Sequence, residues 1–180
     1  MVPLIEPEDA AGTAAELLAL AHQQLGVIPN LAKALANSPA ALKGYLDLTG
    51  ALRGGELAVG TGERIALLVA QEHMCDYALS AHTFIATRVA GLTEAEVASA
   101  RQGRAADARH AAALALAVTL VRRRGAIADD ELAAIRRDGL SDGQLAEVVA
   151  HIALNVFTTY FAEAARIAVD WPLATNRGGK

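Results

Sequence analysis

Three observations predict an all-α fold. Hydrophobic residues make up 53% of the 180-residue chain and aromatics only 4%. The apolar excess is Ala, Leu and Val, which suits closely packed helices better than a β-sandwich rich in Tyr, Thr and Ile. Hydroxyl and acidic residues recur just ahead of apolar stripes at helical spacing, and glycines and prolines fall where those stripes stop. The length is compatible with one domain that buries a substantial core without disulfides or metals. A single-domain helical bundle over 1–180 is therefore expected, because no low-complexity linker or solenoid period divides the chain.

Asp9 and Thr13 are plausible caps for a first helix whose stripe is Leu17, Leu18, Ala21 and Leu25, before Gly26 and Pro29 break it. Asn30 to Asn37 reads as a short helical piece. Ser38 before Pro39 is a cap with proline at the first helical position, opening a helix towards Leu52 that Gly54 and Gly55 interrupt. Thr61 can cap the next helix, which has Ile65, Leu68 and Val69 as its apolar face, Glu63 in its first turn, and Gln71, Glu72 and His73 as a polar close. Another helix should start around Cys75 and run to Val89, with Gly91 ending it and Thr93 to Glu96 forming a capping box for a short successor.

After Gly103, Asp107 caps a helix through Val121, and Asp129 opens another through Arg137. Ser141 and Gln144 form a second capping box. The pattern Val148, Val149, Ile152, Val156, Phe157, Tyr160 and Phe161 then predicts a long buried helix. Trp171 and Pro172 follow it, and Thr175 to Lys180 reads as a frayed tail. Gly91-Leu92-Thr93-Glu94 and Gly139-Leu140-Ser141-Asp142 echo each other, which helix-turn chemistry alone can explain.

A formal charge of −4 and a pI near 5.7 give no reason to expect nucleic-acid binding. The run Arg122, Arg123, Arg124 is read as cations complementing a helix dipole just before Gly125, with a phosphate contact as the minor reading. No uninterrupted apolar run reaches the ~18–20 residues a bilayer requires, and Glu6, Glu8 and Asp9 stand where a signal peptide has basic residues. A cytoplasmic protein without a membrane partner is expected. The single cysteine excludes an intrachain disulfide framework.

The stretch from Glu63 to His82 carries the candidate chemistry. Cys75, Ala78 and His82 are three and then four residues apart and share a helix face. A cysteine near a helix amino terminus is either activated by the dipole and unpaired N–H groups or is a small buried hydrophobe. His82 can move a proton at that surface or be structural, and Glu63 reaches it only if two helices pack together. His73, His82, Glu63 and Glu72 lack a compact metal-ligand spacing, so neither a metal nor a cofactor is expected. His151 and Asn155, one turn apart, are expected to satisfy each other or a partner subunit.

This segment resembles the core of the alkylhydroperoxidase D-like, peroxidase-related branch of the carboxymuconolactone decarboxylase superfamily. That motif is Glu, eleven residues, Cys, two residues, Cys, three residues, His; Glu63, Cys75 and His82 match, and Ala78 stands at the second cysteine. Ile28-Pro29-Asn30-Leu31, Ser38-Pro39 and Leu154-Asn155-Val156-Phe157-Thr158 extend the resemblance over about residues 25 to 172. It implies an all-α homo-oligomer, such as a trimer or hexamer, and thiol-dependent peroxide reduction. By that resemblance, Cys75 attacks peroxide, Glu63 and His82 relay the proton, and an external thiol reductant or peroxiredoxin restores the thiol. Ala78, natural or engineered, removes the family's dithiol cycle. A decarboxylase-like enzyme with Glu63 and His82 as acid and base, and a non-catalytic oligomeric binding protein, are the alternatives.

Overall fold

The computed structural model describes residues 2–176, and among them the chain forms helices and no strand. In order these are α1 (Gly12–Leu25), α2 (Asn30–Leu35), α3 (Pro39–Arg53), α4 (Val59–Glu72), α5 (Asp76–Arg88), α6 (Glu94–Arg101), α7 (Ala108–Arg122), α8 (Asp129–Arg137) and α9 (Asp142–Ala165). The predicted all-α class is the observed one.

Helix starts follow the sequence where a side chain closes the first turn. Ser38 accepts from Ala41 N with Pro39 at the start of α3, and Asp107 accepts from Arg109 N at 2.9 Å at the start of α7. Thr93–Glu96 and Ser141–Gln144 form complete capping boxes. The two echoing connections share a construction: Gly91 and Gly139 are left-handed, with φ of 72° and 97°, and the leucine after each is buried before the hydroxyl cap. Only glycine enters that left-handed turn without a Cβ penalty.

Three predicted caps are corrected. α1 follows Ala11 without a side-chain cap, so neither Asp9 nor Thr13 serves it. Thr61 lies inside α4, and its hydroxyl pairs with His110 Nδ1 at 2.8 Å, a partner distant in sequence. Glu63 consequently falls in the second turn of α4 rather than the first. Asp129 opens α8 as expected, and Ala128 just ahead of it donates its N–H to the Glu131 carboxylate at 3.1 Å.

α4 is the centre of the bundle. It packs on α5, α6, α7 and α9, and nine of its residues are buried. Leu67 and Ala70 join the core built with α1, α2 and α3, whereas Ile65, Leu68 and Val69 face the one built with α7, α8 and α9. Each of the four large aliphatic side chains in this set has 0% exposure, a burial that stabilises by roughly 1.5–3 kcal/mol apiece. A central helix held on every side is a rigid mount for Glu63.

α9 has 24 residues with mean hydropathy 1.4 and is long and apolar enough to cross a membrane by length and composition. In the bundle it packs on α4, α7, α3 and α5, and it buries Asn155, Thr158 and Thr159 on backbone carbonyls of its own helix. The chain after α9 then folds back over the helices. Asn30 N donates to Asp170 at 2.6 Å, Ala174 N to Ser80 Oγ at 2.9 Å, and Asn176 N to Asp76 at 2.8 Å. Thr175 and Asn176 are therefore tied down rather than frayed, Thr175 O accepting from Arg101 at 2.8 Å; residues 177–180 of the predicted tail lie outside the described residues. The arginine run ends α7 as expected, with Arg122 on Glu72 at 2.7 Å and Arg123 on Glu131 at 2.6 Å.

Candidate active site

The packing of α4 on α5 brings Glu63 and His82 into contact across nineteen residues of sequence, with Oε2 and Nδ1 2.9 Å apart. Both side chains are largely withdrawn from solvent, at 17% and 21% exposure. A carboxylate accepts, so Nδ1 carries the proton in this contact and Nε2 is the ring nitrogen left for another molecule. A carboxylate that orients an imidazole in one tautomer is the arrangement general-base catalysis needs.

The pair lines a cavity of about 600 Å³, large enough for a small organic molecule. Its walls are chiefly apolar, including Leu57, Ala81, Ile85, Leu154 and Trp171. Trp171 is carried there by the returning carboxyl-terminal segment and packs on Phe84 with ring centroids 5.5 Å apart. Ala78 lines this cavity beside His82; Cys75 does not.

Cys75 is the amino-terminal cap of α5, and its Sγ accepts from Ala78 N at 3.4 Å. That placement matches the sequence. Of the two readings left open for this thiol, its surroundings favour burial: Cys75 has 0% exposure within the core built on α1 to α3, and burial pushes its thiol up to about 12, the Glu163 carboxylate adding to the rise against backbone donors at Ala78 and Tyr77. Desolvation of the thiolate outweighs the helix terminus. The cysteine is the small buried hydrophobe, and the position beside His82 where a thiol would meet the cavity holds the Ala78 methyl.

His151 also lines this cavity, together with the titratable side chains of Tyr45, Arg53 and Tyr77. Asn155 Nδ2 bonds to the His151 backbone carbonyl at 2.8 Å, not to its ring. The imidazole instead lies over Gly62, where a Cβ would come within 2.7 Å of His151 Cε1, and it lines the cavity with Glu63 and His82. Burial pushes its pKa below the ordinary imidazole value; Glu63 and Glu147 oppose that shift and His82 adds to it. The available sequence signal was the bare glycine ahead of Glu63, which only the α4–α9 packing converts into a seat for a ring. His73, by contrast, lies away from this cavity, edge-on to Tyr160 with centroids 5.0 Å apart, and Glu72 pairs with Arg122. Among the described residues no three His, Cys, Asp or Glu side chains are grouped to hold a metal ion.

No protein-family model and no curated protein matches the chain. Solved structures do. A peroxidase-related protein from Silicibacter sp. TM1040 matches with TM-score 0.77 at 20% identity, over 99% of this chain and 93% of the other. An alkylhydroperoxidase AhpD-core, peroxidase-related protein from Ralstonia eutropha JMP134 matches with TM-score 0.79 at 20% identity, over 94% and 90%. The debrominase Bmp8 matches in its apo form with TM-score 0.78 at 20% identity, over 94% and 92%. A cysteine-to-alanine variant of that debrominase, in complex with 2,3,4-tribromopyrrole, matches with TM-score 0.77 at 19% identity, over 94% and 91%. The helical bundle around Glu63 and His82 thus has the fold of a class that includes peroxidase-related proteins and a debrominase. Within that class the chain has the alkylhydroperoxidase D-like fold that the sequence resemblance pointed to.

Proposed function

We propose that this protein catalyses acid–base proton transfer on a small, largely apolar molecule, without a thiol step. One observation carries the reading: the Glu63–His82 pair, closed at 2.9 Å, faces a cavity lined by Ala78 while the only thiol is shut into the core. His82 Nε2 takes a proton from the bound molecule, and the Glu63 carboxylate holds the ring and stabilises the imidazolium that forms. The imidazolium then returns the proton to substrate or leaving group. The debrominase of the same fold, in complex with 2,3,4-tribromopyrrole, supports a small planar ligand, which the apolar walls and the volume of about 600 Å³ admit.

Thiol-dependent peroxide reduction through Cys75, with an external reductant or a peroxiredoxin, is the second reading. Its support is the amino-terminal position of Cys75 on α5 and the fold shared with peroxidase-related proteins. Burial argues against it. Turnover of a γ-lactone acid by the wild type, Cys75→Ser and Glu63→Gln separates the two. Equal rates in the first two, with a loss of about 10²-fold or more in Glu63→Gln, are the expected result. Activity towards peroxide that requires a thiol reductant and vanishes in Cys75→Ser would overturn the proton-transfer reading.

A further inference from the structure

The proton-transfer reading leaves His151 without a task, although three features single it out. It lines the same cavity as the pair from a different helix, α9. Its ring nitrogens meet no hydrogen-bond partner among the described residues, and the neighbouring Asn155 amide bonds to the His151 backbone carbonyl instead. And its ring has a dedicated seat: Gly62 is buried in α4, and a methyl there would collide with Cε1. A polar group that is positioned by packing yet unpaired at a cavity wall is what a ligand-binding donor looks like before its ligand arrives.

The surroundings define which donor it is. Glu63 on α4, His82 on α5 and Glu147 one turn back on α9 all act on the His151 ring, and burial outweighs the two carboxylates in keeping it neutral. A neutral imidazole has one N–H to donate and adds no full charge to an apolar pocket. Set beside an oriented base, it suits an oxygen on which negative charge develops as the base removes a proton.

We propose that His151 is a further catalytic residue, donating a hydrogen bond to an enolate or phenolate oxygen while His82 takes the proton, so that the substrate is a small apolar enolisable carbonyl compound or phenol. This rests on Glu63 and His82 acting as the base. For a carbonyl compound, the C–H bond alpha to the carbonyl breaks, its proton goes to His82 Nε2, and the electron pair moves to the carbonyl oxygen held by His151. The imidazolium returns the proton to carbon, at the same or a conjugated position, and no co-reactant is consumed. For a phenol, the O–H proton alone moves to Nε2.

Titration with 4-nitrophenol, whose ionised and neutral forms absorb differently, tests this without knowledge of the natural substrate. Below the phenol's own pKa, the wild type is expected to bind it with a larger ionised fraction than free solution. His151→Phe should weaken binding about tenfold or more and diminish the phenolate band, as removal of a hydrogen bond to a charged group predicts. His151→Gln, which retains a neutral donor, should recover most of the loss. Gly62→Ala should reproduce it with the imidazole still present, and circular dichroism monitors the fold of each variant. Where His151→Phe fails to fold, His151→Gln and Gly62→Ala decide. Absence of 4-nitrophenol binding to the wild type, or unchanged binding and ionisation in the His151 and Gly62 variants, overturns the proposal. If Glu63→Gln loses the phenolate band while those variants keep it, the base reading stands and the role of His151 falls; if none of them changes it, both fall.

Discussion

Folded protein should protect Cys75 from alkylation and oxidation to a degree that can be worked from its setting. Raising the thiol from 9.0 to about 12 lowers the thiolate fraction near neutral pH by about a thousandfold, because each unit is a factor of ten. Exclusion of the reagent adds to this, as Cys75 has 0% exposure. The rate of iodoacetamide labelling, followed by intact mass, is therefore expected to fall by at least about 10³-fold between urea-unfolded and native protein. A parallel sample treated with limited peroxide and then dimedone should remain unmodified while native. Labelling within about tenfold of the unfolded rate, or a dimedone adduct on protein whose circular dichroism remains native, would refute the burial argument and restore Cys75 as a nucleophile. Residual labelling that accelerates with mild denaturant would report local opening rather than a reactive native thiol.

Three further outcomes follow from the same structure. Ala78→Cys places a thiol on the cavity wall one turn into α5, next to the Cys75 sulfur that already accepts from Ala78 N, and should form an intrachain disulfide under mild oxidation; a mass unchanged by two hydrogens would show the motif to be misplaced. Cys75 and Tyr77 both have folded-state pKa values raised by burial, so the unfolded chain loses these protons first and stability should decline as pH rises from about 9 towards about 12; urea midpoints should show a shallower decline in Cys75→Ala, and parallel curves would contradict the assignment. Leu67→Ala removes a side chain with 0% exposure from the central helix and should cost about 2–5 kcal/mol, read as a lower urea midpoint at unchanged slope.

Most helix boundaries were legible because their causes are local. Ser38, Thr93, Asp107 and Ser141 each close a helix start by accepting from a backbone N–H two or three residues on, so a short local segment contains both partners. Thr61 failed as a cap for the opposite reason: its partner, His110, is 49 residues distant. Thr175 and Asn176 were misread on the same ground, since Arg101 and Asp76 hold them from other helices.

The candidate site divides along that line. Helical spacing, which depends only on position along the chain, put Cys75 at the head of α5 and grouped it with Ala78 and His82, and the resemblance to a known motif added Glu63 and marked Ala78 as the missing thiol. Tertiary structure decided what those residues can do. It closed Glu63 onto His82, turned Ala78 to the cavity and Cys75 into the core, and brought His151 over Gly62. Reactivity depends on desolvation and on neighbours contributed by other helices, and neither quantity exists until α4, α5 and α9 have packed.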